Sequence, residues 1–380
     1  MTAIYLDYNA TTPIAPQVAE AMRPCLEGLF GNPSSGHAHG TEALLAVEDA
    51  RDQVAALMGC DSEELIFTSG GTESNNLALI GAARGDDTGR RHLITTAIEH
   101  PAVINVCRWL ETQGYALTVL PVDAQGMVDP ADLRAAMRDD TLLVSVMHAN
   151  NEVGTVQPIR ALSDIAHAGG ALFHCDAAQS LGKIPVSIEA LGVDLLSVAG
   201  HKLYAPKGIG ALYLRDGVTL GPVLFGAGQE RGRRPGTENL LEIVGLGAAA
   251  ELAMNQPAAH RERIIRRRDR LHRGLVDVLG AERLRLNGHP EKRLPNTLNI
   301  SLRGVEANTL LARIGDEVAA SAGAACHAGA VEASPVLTAM GVPTEWAMGT
   351  LRLSVGRFTT PTEVDRAVTI IAREVRRMAG

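Results

Sequence analysis

The chain has almost no lysine. Of its 35 Lys and Arg side chains only four are lysines, Lys183, Lys202, Lys207 and Lys292. Where a surface charge suffices the sequence uses arginine. A lysine kept at a strand end is therefore a candidate for chemistry a guanidinium cannot do, above all Schiff-base formation by an amine that can lose its proton. Cysteine is also scarce: Cys25, Cys60, Cys107, Cys175 and Cys326 are odd in number and scattered. That spacing fits neither a disulfide framework nor a zinc site, and it points to a reducing compartment. No apolar run reaches the roughly 18 residues of a membrane span. The start, Met1-Thr2-Ala3-Ile4-Tyr5-Leu6-Asp7, lacks the basic and apolar regions of a signal peptide. A formal net charge of -8 is the wrong sign for a general nucleic-acid binder. These absences lead to the expectation of a cytoplasmic protein with no membrane contact and no direct nucleic-acid contact.

What is present is a long, well-patterned globular chain. Its 380 residues, 46% hydrophobic and 21% charged, suffice for a large core and two domains. Between residues 65 and 214, short apolar runs at 65–68, 93–96, 117–122, 142–147, 172–175, 194–198 and 211–214 read as strands. Helical segments such as 72–83, 102–113, 130–137 and 159–168 lie between them. This alternation predicts an α/β fold: a mostly parallel seven-stranded sheet with helices on both faces. Helices are also expected at 16–29 and 41–58. Beyond residue 258 come an arginine-dense helix from 260, strands at 298–301 and 350–355, and a closing helix over 363–378. The arginine-dense helix reads either as a solvated face or as a nucleic-acid patch, the former fitting its helical spacing of Ile264, Ile265, Leu271 and Leu275. The Ala/Gly-rich stretch 319–330 predicts no element. The expected division is a large domain, 15–258, and a smaller α+β domain built from 1–14 and 259–380.

In an open α/β sheet, ligand chemistry gathers at the carboxyl ends of the strands. Four ends here carry polar clusters. The first, Ser69-Gly70-Gly71-Thr72-Glu73-Ser74-Asn75, opens a helix; converging backbone N–H groups and a helix N-terminus make a phosphate cradle, though the same residues also make an ordinary helix cap. The others carry Glu99-His100-Pro101, His148-Ala149-Asn150-Asn151-Glu152 and Asp176-Ala177-Ala178-Gln179. Lys202 follows the next strand, 26 positions after Asp176. Pyridoxal phosphate requires a lysine for its Schiff base and a carboxylate that keeps its ring nitrogen protonated. A cradle, a histidine, an aspartate and a lysine on separate strand ends are the parts it needs. The Gly-x-Gly-x-x-Gly of a nicotinamide enzyme does not follow the first strand of this alternation. His37 and His39, in a Gly/Ser-rich loop, are possible metal ligands but read more simply as turn residues.

Several stretches together resemble a known family, the NifS/IscS-like cysteine desulfurases and the related selenocysteine lyases of the class V aminotransferase group. They are Tyr5-Leu6-Asp7-Tyr8-Asn9-Ala10-Thr11-Thr12, Gly31-Asn32-Pro33-Ser34-Ser35, Phe67-Thr68-Ser69-Gly70-Gly71-Thr72-Glu73-Ser74-Asn75-Asn76, His148-Ala149-Asn150-Asn151-Glu152, His174-Cys175-Asp176-Ala177-Ala178-Gln179, Gly200-His201-Lys202, Arg234-Pro235-Gly236-Thr237-Glu238-Asn239 and Arg352-Leu353-Ser354. The resemblance implies a fold type I pyridoxal-phosphate homodimer. It implies that Lys202 is the Schiff-base lysine and moves the substrate α-proton, and that Asp176 pairs with the ring nitrogen. Gln179 would bond the ring's phenolic oxygen, His100 would stack on the ring, and Asn151 would lie beside the ring oxygen and substrate. Gly71, Thr72 and His201 would hold the phosphate with Thr237 of the partner subunit. Arg352 would clamp the substrate carboxylate, a task suited to a bidentate guanidinium.

Cys326 lies in Ser321-Ala322-Gly323-Ala324-Ala325-Cys326-His327-Ala328-Gly329. A free cysteine usually ends as a small buried residue, and the other four are assigned that role. In the resemblance Cys326 is the sulfur acceptor: its thiolate takes the γ-sulfur of L-cysteine as a persulfide, leaving alanine, for passage to an acceptor protein serving iron–sulfur clusters or thiolation of RNA or DNA. His327 would favour the thiolate if protonated. Two departures matter. Ala199 stands where many desulfurases have a phosphate-binding serine, a loss of about 1.5–3 kcal/mol if nothing replaces that bond. The C-terminal stretches resemble selenocysteine lyases, whereas Pro101 after His100 resembles the desulfurases. The alternative substrate is thus L-selenocysteine, released without need of Cys326. A non-catalytic scaffold of the same fold is a third reading, against which the intact Lys202, Asp176, His100 and Arg352 stand.

Overall fold

A computed structural model describes residues 3–327 and 330–379, with the side chains of 324–331 and 379 outside the described set. Its centre is a seven-stranded sheet in the order Leu65–Thr68, Gly210–Leu214, Leu195–Ala199, Leu172–Asp176, Thr141–Ser145, His92–Thr96, Ala116–Leu120. The last five strands in that order run parallel to one another. Gly210–Leu214 is antiparallel to both of its neighbours, a departure from simple alternation. The cause is the connection: residues 200–209 return directly from the preceding strand without a crossover helix, and a short connection permits only antiparallel pairing. Apart from the edge strand Ala116–Leu120, the strands are almost entirely buried, as expected of a sheet covered on both faces. One core cluster unites Phe67, Val144, Phe173 and Leu196 with the helices Ala38–Met58 and Leu240–Met254; another unites Ile66, Leu93, Leu143 and Leu195 with the helices Gly71–Gly85 and Pro101–Thr112. The helix Leu240–Met254 carried no expectation, because its Ala/Gly-rich, almost uniformly apolar sequence has little periodicity.

A second sheet of four antiparallel strands has the order Ser321–Ala322, Thr350–Ser354, Thr297–Leu302, Leu284–Leu286. The helices Ala258–Leu279 and Pro361–Ala379 cover it, burying Ile264, Leu271, Leu275, Val364 and Ile371. The arginines of the first helix are largely occupied, Arg270 with Asp365 and Arg266 with Glu262, which is what the solvated reading expects. The featureless stretch near 319–330 instead forms short strands, including the hairpin Ala324–His327 with Ala330–Ala333. Small residues there gave no periodicity, and pairing with neighbours decided the outcome.

Residues 4–15 stitch the two sheets together. Ile4 pairs with Val318, and Leu6 receives the Ser354 amide. Further on, Thr12 donates its amide to the His201 carbonyl and Ala15 donates to that of Tyr204. The segment therefore crosses directly in front of Lys202.

Candidate functional site

The ends of the parallel strands open into a cavity of about 520 Å³. Its walls include Gly71, Thr72, His100, Asn151, Asp176, Gln179, His201 and Lys202, so eight of the expected residues meet in one place. Three strands are locked together just below it. His174 is fully buried, with Nδ1 2.8 Å from Ser145 Oγ and Nε2 3.0 Å from Ser197 Oγ, and burial pushes its pKa down to about 4. This neutral ring pins the strands that deliver Asp176 and Lys202.

The Asp176 carboxylate is fixed at both oxygens. Oδ1 accepts from the Ala178 amide at 2.9 Å, and Oδ2 accepts from Asn75 Nδ2 at 2.8 Å. Asn75, itself buried on the first turns of helix Gly71–Gly85, was not foreseen; only its place in the glycine-rich segment hinted at a role. At the start of that helix, Gly71 abuts Ala199: a Cβ on Gly71 would lie 3.2 Å from the Ala199 methyl. Gly70 has φ +147° and opens the turn. Glu73 closes one side, accepting from the Ser69 amide at 2.7 Å and pairing with Arg234 at 2.8 Å.

His100 caps helix Pro101–Thr112, with Nδ1 accepting the Ala102 amide at 3.1 Å. That bond puts the imidazole proton on Nε2, and burial lowers the ring's pKa. Lys202 Nζ donates to the Asn9 carbonyl at 2.8 Å. Its pKa falls to about 8, chiefly through burial, with Arg352 pushing the same way and Asp176 and Asp7 opposing. His201 Nδ1 lies 3.1 Å from Thr11 Oγ1, and burial beside Lys202 lowers it to about 4.

Asn9 is the second residue that sequence reasoning passed over. Fully buried, it accepts from Lys202 Nζ and Gln179 Nε2 at its carbonyl and donates its side-chain amide to the Asn151 carbonyl and Thr297 Oγ1. It sits in a quoted motif, but its polar partners come from distant elements that no local spacing reveals.

Other expected residues lie apart. Arg352, in strand Thr350–Ser354, does not line the cavity. It pairs with Asp7 at 2.9 Å, donates to Ser321 Oγ at 2.9 Å and reaches the Asn151 carbonyl at 3.3 Å. Thr237 is exposed and outside the cavity lining. The backbone of Cys326 pairs opposite Val331 in the hairpin, and its side chain lies outside the described residues, as do those of its neighbours from 324 to 331, His327 included. The hairpin base is closed by Ser334, whose amide donates to the Gly323 carbonyl at 2.8 Å and whose hydroxyl donates to Glu152 at 2.6 Å. Burial pushes the thiols of Cys60 and Cys107 up to about 12 and raises that of Cys175 well above its ordinary value, so these are structural thiols. His37 caps helix Ala38–Met58, its Nδ1 accepting from the Gly40 amide.

The donor set can be tested against pyridoxal phosphate. Asp176 is a carboxylate whose bonds leave lone pairs for a ring N–H, the Gly71 cradle has no side chain to fill it, and Lys202 is an amine near its free-base range. The residues fit that group.

The chain belongs to the class V aminotransferase family, whose pattern it matches over residues 4–367. Within that family its relatives are cysteine desulfurases. It is 45% identical over 380 residues to "Cysteine desulfurase IscS" of Dictyoglomus turgidum, covering 99% of this chain and 95% of that protein. It is also 45% identical over 377 residues to "Cysteine desulfurase IscS" of Methanosarcina thermophila, covering 99% and 93%. Among solved structures, a "NifS-like protein" aligns with a TM-score of 0.92 and 38% identity over 98% of this chain and 99% of that one. "SspA in complex with cysteine" aligns with a TM-score of 0.81 and 35% identity over 94% and 100%.

Proposed function

We propose that this protein is a pyridoxal-phosphate-dependent cysteine desulfurase that converts L-cysteine to L-alanine and leaves the sulfur as a persulfide on Cys326. The observation that carries this reading is the meeting of Lys202, Asp176, His100 and the Gly71 cradle in one cavity. Relatives named for the same activity at 45% identity over nearly the whole chain support it.

Bound in the cavity, pyridoxal phosphate supplies an electron sink next to the substrate α-carbon. Asp176, held by Asn75 and the Ala178 amide, keeps the ring nitrogen protonated. Gly71, Thr72 and His201 hold the phosphate, and Ala199 contributes only a methyl group there. His100 would lie against the ring, with its proton on Nε2. Lys202, with a pKa near 8, would give up its proton readily enough to hold the group through its amine and to move the substrate α-proton. Arg352 would receive the substrate carboxylate, and Asn151, whose carbonyl it reaches, would lie beside the ring oxygen and substrate. The Cys326 thiolate attacks the substrate γ-sulfur; the S–S bond forms as the Cβ–S bond breaks, and the protonated carbon product leaves as alanine.

In this reading residues 15–258 form the cofactor-binding domain and 1–14 with 259–380 the domain that carries Arg352 and Cys326. The protein acts as a cytoplasmic homodimer, which fits exposed apolar side chains such as Phe30, Leu45 and Phe225 and the outward position of Thr237. Among the described residues no helix is long and apolar enough to cross a membrane. The persulfide passes to an acceptor protein in iron–sulfur cluster assembly or in thiolation of RNA or DNA. The test is alanine release from L-cysteine and from L-selenocysteine, side by side, for the native chain and Cys326→Ala. Activity on cysteine that vanishes in the variant is expected. Activity confined to selenocysteine and surviving in the variant would make the protein a selenocysteine lyase instead.

A further inference from the structure

Gln179 does not choose its own orientation. Its Oε1 accepts from Lys183 Nζ at 2.6 Å, while Nε2 donates to the Asn9 carbonyl at 2.9 Å. An amide nitrogen carries two N–H bonds, so one remains for the cavity that Gln179 lines. Reversing the amide would set N–H against the Lys183 N–H bonds and oxygen against the Asn9 carbonyl oxygen. Two mismatches at once exclude the flip while Lys183 is present.

Lys183 is itself unusual. It is partly buried, and its bonds go to two amide oxygens, Gln179 Oε1 and Asn9 Oδ1, the latter at 3.4 Å. Burial, with Lys202 and Arg352 close by, drives its pKa well below the ordinary lysine value. Two N–H bonds suffice for both acceptors. Even partial burial of a lysine is costly, and among the described residues no ion pair compensates it, so its value lies in what it fixes.

We propose that Lys183 is a positioning residue that makes Gln179 a hydrogen-bond donor, rather than an acceptor, toward an anionic oxygen on the cofactor ring. This rests on the proposed function. Without Lys183 only the Asn9 carbonyl opposes the flip, and the amide turns its oxygen toward the anion more often.

The test compares two ligands on the cofactor-stripped full-length chain: pyridoxal phosphate and 3-deoxypyridoxal phosphate, which lacks the phenolic oxygen. Dissociation constants are read by fluorescence titration for the native chain and Lys183→Met. The native chain should prefer pyridoxal phosphate by about tenfold or more, the scale of one hydrogen bond to a charged group. Lys183→Met should lose that preference through weaker pyridoxal phosphate binding, with analogue affinity held within about threefold. An unchanged preference would overturn the proposal, and so would an equal weakening of both ligands, which marks a purely structural lysine. Should Lys183→Met fail to fold, Gln179→Leu with Lys183 intact removes the donor itself; a preference that survives there sinks the proposal equally. A native chain that binds neither ligand would instead bring down the proposed function.

Discussion

The two sheets bring functional residues together in different ways. The parallel strands of the large sheet end along one edge, so Asp176 and Lys202 share a cavity although 26 positions separate them, and His100 arrives from farther still. Topology does this, and any polar residue at such an end is carried along. The small antiparallel sheet has no common edge of that kind. Arg352 lies within a strand, opposite Asn299 and Ser321, and reaches the site region only because Asp7 and the Asn151 carbonyl hold it. Groups on the large sheet are thus placed by architecture, and those on the small sheet by individual bonds. Single substitutions should expose the difference.

The largest effect falls on the large sheet. Lys202→Ala should lower alanine release from L-cysteine by roughly a thousandfold or more while leaving circular dichroism and oligomeric state unchanged, because its one described bond goes to the Asn9 carbonyl and the strand is pinned by His174. In the native chain, capture of added pyridoxal phosphate should follow the free-amine fraction of Lys202. With a pKa near 8, the rate should fall about tenfold per unit as pH drops below 8 and level off above it. A rate that is flat from pH 6 to 9 would remove Lys202 from the role. On the small sheet, Arg352→Lys should raise the KM for cysteine by about ten- to a hundredfold with a smaller change in kcat, since an ammonium cannot serve Asp7, Ser321 and the Asn151 carbonyl from a planar fork. A loss in kcat alone would place Arg352 with the reacting groups instead.

This contrast also explains what the sequence could disclose. Strand-end residues were legible because alternation locates strands and strands locate their ends; the strand over 65–68 and the helix over 159–168 fell where the pattern put them. Arg352 and Cys326 were named through resemblance alone, since nothing in local periodicity marks a mid-strand arginine or a cysteine among alanines. Asn9, Asn75 and Lys183 escaped for a further reason. Their partners lie 101 to 345 positions away in several cases, and a buried amide looks like any surface asparagine until those partners are known.

Asn75 offers a milder test of placement by architecture. Asn75→Leu deletes the bond to Asp176 Oδ2 but leaves the Ala178 amide on Oδ1. The expected cost is about 1.5–3 kcal/mol, the scale of a hydrogen bond to a charged group, read as cofactor retention weakened by roughly ten- to a hundredfold on dialysis. Retention equal to the native chain would mean that the strand end alone fixes Asp176.

The smallest effect concerns pH, and it separates the two sheets most directly. His148 and His174 are buried beneath the large-sheet site, and burial holds both near pKa 4 against about 6.5 in an unfolded chain. Between those values the unfolded chain binds more protons, so the stability these two rings contribute is full above about pH 6.5 and is lost as pH falls toward 4, opposed by the buried Glu99, which burial raises to about 8. The four strands of the small sheet contain no histidine. His260 and His272, also lowered by burial, lie on the helix Ala258–Leu279 and not in the small sheet's strands, so acid should loosen the strands of the large sheet first. Amide hydrogen exchange at pH 5 against pH 7.5, corrected for intrinsic rates, should show protection falling in Thr141–Ser145 and Leu172–Asp176 before Thr297–Leu302 and Thr350–Ser354. His174→Gln, which cannot titrate but keeps a donor and an acceptor for Ser145 and Ser197, should flatten that dependence. If both sheets lose protection together, the chain unfolds as one unit, and the difference between the sheets belongs to placement of the site and not to stability.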